Sequence, residues 1–214
     1  MVPIKSLSRA KTRLRGAADD GIGDPRAHQQ LTIALIRDTI SAARAAHRVR
    51  EVIAITSDPT VTEVLAADGV RVLADPEHDL NGALAYGARR LADPAVPIGA
   101  LQADLPALRP TELGEALAEA LALFHTGLAN RAFCPDAQGE GTTLLVAAPG
   151  VELSPRFGPH SAAAHERTGA VRLTGDWPGL RRDVDHPDDL RMAGEIGLGP
   201  ATLAALRRTA RQRC

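Results

Sequence analysis

Aromatic residues make up only 2% of this 214-residue chain: three phenylalanines, one tyrosine and one tryptophan. With so few stacking rings and a formal net charge of −1, the sequence does not suit a general nucleic-acid binder, which carries a basic surface interleaved with aromatics. The two cysteines, Cys134 and Cys214, form no metal or redox spacing; Cys134 reads as a strand residue and Cys214 as a free tail residue. No apolar run approaches the roughly 18 residues of a membrane span. The opening "MVPIKS" lacks the apolar stretch of a signal peptide, so a cytoplasmic protein is expected. Lysine is scarce too: Lys5 and Lys11 are the only two, and every other basic side chain is arginine. Both lie in "VPIKSLSRAKTRLRG" beside Arg9, Arg13 and Arg15, a local cluster of cations in a nearly neutral protein.

What is present suits one large, mostly aliphatic core, with 44% hydrophobic residues, and a single domain over residues 1–214. The short β-branched runs "EVIAIT" (51–56), "VRVLAD" (70–75) and "PIGALQAD" (97–104) predict strands buried on both faces. Helices are predicted over 25–47, with Ile33, Ile36 and Ile40 on one face, over 80–92, and over 110–125, with Leu113, Leu117 and Leu121 spaced by four. The alternation implies a mostly parallel sheet with helices on both faces. Strands at 129–136 and 142–149 joined by "AQGEG", a strand at 170–175 and short helices at 187–196 and 200–211 complete the pattern.

Ligands of open α/β sheets bind beyond the carboxyl ends of the strands. Asp104 stands at such an end, in "ADLP", a position where a carboxylate can also simply cap the next turn. In "DVD", strand-like alternation directs Asp183 and Asp185 to one side and Val184 to the other. Paired carboxylates are costly without a cation, and hard Mg²⁺ suits oxygen ligands. A solvated acidic turn before the helix of "PDDLRMAG", whose Asp188 and Asp189 favour its N-terminus, is the other reading. "RFGPHS" (156–161) places Ser161 at the opening of a helix, either as an ordinary cap or with its hydroxyl free for an anion. "GEGTTL" (139–144) fits a hairpin or a phosphate cradle built on Thr142 and Thr143. No HExxH, GxSxG, GxxxxGK[ST] or strand-linked GxGxxG occurs.

The ordered motifs "VPIKSLSRAKTRL", "LQADLPAL", "GEGTTLL", "RFGPHSAAAHERTGA" and "DVDHPDDL" together resemble the CofC/FbiD guanylyltransferases of coenzyme F-420 biosynthesis, over nearly the whole chain. The resemblance implies a Rossmann-like three-layer α/β sandwich with a mostly parallel mixed sheet, similar to the nucleotide-diphospho-sugar transferases. It also implies transfer of GMP from GTP to phosphoenolpyruvate, as in actinobacterial members, giving enolpyruvyl-diphospho-guanosine and pyrophosphate for the next enzyme of the pathway. The alternatives are 2-phospho-L-lactate or 3-phosphoglycerate as acceptor and, more remotely, a sugar phosphate or molybdopterin.

By the same resemblance Asp104, Asp183 and Asp185 are the Mg²⁺ ligands. Thr142, Gly158 and Ser161 hold the acceptor phosphate, and Lys5, Lys11 and Arg13 grip the triphosphate, with Lys11, Arg13 and Asp104 closest to the chemistry. Thr56, Ser57, Asp58, Asn81 and Gly82 are expected at the guanine or ribose, and Arg9 and Arg15 as solvated neighbours. Relatives carry apolar residues before "VPIK", so a natural start upstream of Met1 is expected. Ala103 replaces a common glycine, which tightens the backbone there. Nothing in the sequence addresses oligomeric state. A phosphate monoester is already anionic, so no general base is needed, and catalysis rests on positioning and charge neutralisation.

Overall fold

In the computed structural model of the chain, residues 1–7, 11–19, 21–76 and 79–211 are described; Arg9 and Cys214 lie outside the described residues. The strands are β1 (Val2–Pro3), β2 (Ile53–Thr56), β3 (Arg71–Ala74), β4 (Ile98–Leu101), β5 (Arg131–Pro135), β6 (Thr142–Ala147) and β7 (Val171–Arg172). The helices are α1 (Pro25–Ala45), α2 (Pro59–Ala67), α3 (Leu80–Arg90), α4 (Pro110–His125), α5 (Ser161–Arg167), α6 (Pro178–Arg181), α7 (Pro187–Ile196) and α8 (Pro200–Arg211). A short 3₁₀ turn covers Thr12–Leu14.

The strands run parallel in the order β1-β2-β3, and β4-β6-β5-β7 form a mixed set in which β6 is antiparallel to both neighbours. Met1 joins the two sets. Its ammonium donates to the Gly99 carbonyl at 2.7 Å, and its carbonyl accepts from Leu101 N–H at 2.9 Å, a parallel pairing of β1 with β4. The result is one mostly parallel, mixed sheet, as the alternation predicts.

Residues along the central strands alternate between two cores. Leu101, Ala132, Cys134, Leu144 and Val146 pack with Ile36 and Ile40 of α1 and Leu113 and Ala116 of α4. Their neighbours Ala100, Phe133, Leu145 and Ala147 face the other way, against Leu84 of α3 and Ala162 of α5. Period-two alternation in strands covered on both faces therefore makes three layers. Helix starts follow local rules: Asp24, Asp58 and Asp79 cap α1, α2 and α3 by accepting backbone N–H bonds, ahead of Pro25 and Pro59 in the first two cases.

Four stretches differ from expectation. Helices α2 and α6 are present where no helix is predicted, because α2 buries only two side chains and the four-residue α6 only that of Leu180, which gives little periodic signal. The predicted strand at 170–175 is only Val171–Arg172. Residues 183–185 form no strand, yet the alternation holds: Val184 is fully buried, its N–H donates to the Asp104 carbonyl at 3.1 Å, and the flanking carboxylates face outward.

Candidate active site

The parallel strands all end on one side of the sheet, and antiparallel β6 begins there. A cavity of about 490 Å³ opens at this edge. Its walls include Lys5 and Lys11 from the loop after β1, and Asp104 from the loop after β4. Thr142 at the start of β6, Gly158 and Ser161 before and in α5, and Asp183 and Asp185 before α7 complete it. Residues from five separated segments meet because those segments share one sheet edge.

Lys11 sits at the centre. It adopts a left-handed backbone conformation, φ 51°, sparsely populated for a side-chain-bearing residue. Its ammonium donates to Asp104 Oδ2 and to Asp185 Oδ1, the latter at 2.5 Å. Burial pulls the ammonium pKa down, but the Asp104 and Asp185 carboxylates outweigh it and hold the group above the ordinary lysine value. Asp185 is affected in reverse: burial raises its pKa, and Lys11 overcomes that and lowers it. Among the described residues Asp183 has no hydrogen-bonded cation, and Lys11 opposes its shift only in part. Burial first, then repulsion from Asp104 and Asp185, push its carboxyl up to about 7.

The donors suit a hard divalent cation. Asp104 Oδ1 is buried without a hydrogen-bond partner, a costly state for a carboxylate oxygen. The other donors are oxygens, and Asp183 carries the repulsion that a cation relieves. Among the described residues no three such side chains are drawn together as a finished metal site, because the Lys11 ammonium stands between Asp104 and Asp185. The site is built for positive charge, and Lys11 supplies it here.

The opposite wall is held by hydrogen bonds. Gly158 takes φ +135°, a conformation that disfavours side chains. Asn81 clamps the preceding residue, donating to the Phe157 carbonyl at 2.9 Å and accepting from Phe157 N–H at 2.8 Å. Asp136 accepts from Glu140 and Gly141 N–H, closing the hairpin turn into β6. Thus "GEGTTL" is a hairpin turn and also delivers Thr142 to the cavity.

The structure separates the remaining predicted residues from this group. Arg13 is exposed at the rim, 3.4 Å from His186. Asp58 accepts from Ser6 Oγ and from Leu7, Thr60 and Val61 N–H. Burial raises its pKa, and these bonds overcome that and lower it; the side chain fastens the opening loop to α2. Thr56 accepts from Asp58 N–H, Gly82 N–H donates to the Asp79 cap, and Ser57 is exposed. None of Thr56, Ser57, Asp58, Asn81 or Gly82 lines the cavity. Sequence reasoning missed Gln102, Asp136 and Glu140 on its walls, and His165 behind Thr142; the position of Gln102 directly after β4 was an available signal. Asp189 accepts from Asp185 and His186 N–H and caps α7, as the reading of "PDDL" anticipates.

No protein-family model matches the chain. Its fold is that of the nucleotidyltransferases. A protein of Desulfovibrio desulfuricans G20 provisionally assigned as a nucleotide-diphospho-sugar transferase superposes with a TM-score of 0.66 at 18% identity, over 99% of this chain and 95% of that one. A nucleotidyl transferase from Methanothermobacter gives 0.58 at 19% identity, over 91% and 96%. Sequence similarity is far closer to curated proteins of actinobacteria. The phosphoenolpyruvate guanylyltransferase of Geodermatophilus obscurus is 50% identical over 212 residues, 99% of this chain and 94% of its own length. That of Salinispora arenicola is 49% identical over 203 residues, 94% and 90%. At such identity over nearly complete lengths, with the predicted motifs folded around one cavity, the chain belongs to the phosphoenolpyruvate guanylyltransferase family.

Proposed function

We propose that the chain transfers GMP from GTP to the phosphate of phosphoenolpyruvate, releasing pyrophosphate and forming enolpyruvyl-diphospho-guanosine. The observation that carries this reading is the cavity itself, with acidic residues and lysines on one side and the hydroxyl- and glycine-bearing wall of Thr142, Gly158 and Ser161 on the other. The acceptor phosphate is an anionic nucleophile and needs no base. The difficulty is repulsion between two polyanions in one cavity, so charge placement decides the rate.

In this reading Asp104, Asp183 and Asp185 hold Mg²⁺, which when bound neutralises phosphoryl oxygens and polarises the α-phosphorus. Lys11 leaves its carboxylate partners to contact the triphosphate, with Lys5 beside it and Arg13 at the rim. A lysine suits this change better than arginine, because its compact point charge on a flexible stem carries no fixed fork of donors. Thr142, the backbone at Gly158 and Ser161 orient the acceptor. Asn81 acts through Phe157 rather than on the base. Thr56, Asp58 and Gly82, expected at the nucleotide, shape the neighbouring loops.

The whole chain, residues 1–214, is proposed as one catalytic domain, since both cores lie on the two faces of the same sheet. No helix among the described residues is long and apolar enough to cross a membrane. A cytoplasmic role, handing product to a following enzyme, is part of the proposal. Purified protein with GTP and Mg²⁺ is assayed for pyrophosphate release with phosphoenolpyruvate, 2-phospho-L-lactate and 3-phosphoglycerate side by side. Preference for phosphoenolpyruvate is expected. Release with 2-phospho-L-lactate alone overturns the acceptor, and release with none overturns the activity.

A further inference from the structure

His165 is fully buried in α5, outside every predicted role. Its Nε2 accepts from the Arg156 backbone N–H at 2.9 Å. A backbone amide can only donate, so Nε2 carries no proton, and a neutral ring must carry its proton on Nδ1. Nδ1 lies 2.9 Å from Thr142 Oγ1; because Nδ1 carries the proton, the Thr142 hydroxyl cannot donate to it and accepts from it, sharing that N–H with the Ser161 backbone carbonyl. A hydroxyl has one proton, and no acceptor for it is found among the described residues. Thr142 lines the cavity.

We propose that His165 is a positioning residue for the acceptor: its neutral ring, protonated on Nδ1, turns the Thr142 hydroxyl into an obligatory donor aimed at an oxyanion in the cavity. The proposal rests on the assignment of this wall to the acceptor under Proposed function. It names the ligand chemistry there as an oxygen that only accepts, from a phosphate or a carboxylate, rather than a substrate hydroxyl. The surroundings keep the ring neutral. Phe133 and Phe157 enclose it, with ring centroids at 5.8 and 5.2 Å. Burial first, then the Arg156 charge and also that of Arg131, lower its pKa to about 4, against a smaller opposing hydrogen bond to the Ser161 backbone. The same ring ties the Arg156 amide to β6, so one side chain sets both the donor direction and the spacing between Thr142 and the turn that carries Gly158.

The test compares wild type, His165→Phe, Thr142→Val and the double variant by steady-state kinetics. His165→Phe is expected to raise KM for phosphoenolpyruvate about tenfold, the scale of one oriented hydrogen bond, with KM for GTP unmoved. Added to Thr142→Val, it is expected to raise the acceptor KM no further. Equal increases in both backgrounds, an unchanged acceptor KM, or a parallel rise in KM for GTP would show a structural role only. Wild type that turns over another acceptor and not phosphoenolpyruvate sinks the substrate reading, and the same cycle is then run with that acceptor. Long-range ¹H–¹⁵N correlation of the unmodified protein near neutral pH decides the point without turnover and without variants. The Nδ1–H tautomer at His165 is expected, and an Nε2–H tautomer or an imidazolium overturns the proposal.

Discussion

Replacing Asp183 by asparagine is expected to make the protein more stable and inactive. Asp183 titrates near 7 in the fold, against an ordinary value of 3.8, because it is buried beside Asp104 and Asp185. The fold thus opposes its charge by a few kcal/mol, as an order of magnitude. The unfolded carboxyl ionises near 3.8 and the folded one near 7, so between these values folding takes up a proton and stability falls as pH rises. Above about pH 7 the full penalty is present. Asparagine keeps the shape and removes the charge, and Lys11 already offsets part of the cluster. A gain of about 2 kcal/mol is therefore expected, or roughly 4–8 °C in Tm for a chain of this size. The assay is thermal unfolding of both proteins in a chelator at about pH 8 and about pH 5. The difference is expected to shrink at the lower pH, where the native wild type is already protonated. Divalent cation is expected to raise the wild-type Tm and leave the variant nearly unmoved, while pyrophosphate release falls at least about a hundredfold. A variant less stable than wild type in chelator at the higher pH, or a gap independent of pH, would refute the electrostatic account. Near-normal turnover in Asp183→Asn and Asp185→Asn would remove both from the metal site.

Lys11→Met leaves Asp104 and Asp185 facing each other without compensation, so its Tm in chelator is expected to fall and a divalent cation to restore most of the loss. Lys11→Arg is expected to lower kcat because the guanidinium cannot reproduce a compact charge; unchanged kcat would mean that any cation serves. Asn81→Leu removes both hydrogen bonds to Phe157, costing about 2 kcal/mol, and is expected to raise KM for phosphoenolpyruvate more than KM for GTP; the reverse order would return Asn81 to the nucleotide. His165 must gain a proton to charge in a site that opposes it, so its contribution is intact above about pH 6.5 and is lost as pH falls toward 4. His165→Phe is therefore expected to flatten the acid limb of the stability profile, read by denaturant unfolding across that range.

How far the sequence reaches can be judged residue by residue. The layered sheet was legible because the strands are short aliphatic runs between capped, periodic helices, and local chemistry sets both. The motif residues Lys5, Lys11, Asp104, Thr142, Gly158, Ser161, Asp183 and Asp185 were also legible, and they do converge on one cavity. Helix α2 was missed because two buried side chains, Val61 and Leu65, make too weak a period. Asp58 and Asn81 are expected at the nucleotide by the family resemblance alone. Their hydrogen bonds to Leu7 and Phe157 span 51 and 76 residues, and no local pattern announces partners so distant.

Caps, turns and periodic burial act over a few residues, so most elements, their alternation and the residue types that meet polyanions are legible in the sequence. Which cation neutralises which carboxylate follows from the folded arrangement. Lys11 reaches Asp104 and Asp185 across 93 and 174 residues, and it offsets the charge of Asp183 only in part, because the sheet edge gathers more negative charges than one ammonium can pair. The folded arrangement also decided the tautomer of His165, because a proton's position on a buried ring follows from the donor beside it, here a backbone amide nine residues away. Charge balance and proton placement depend on distances in space, and those exist only once the chain has folded.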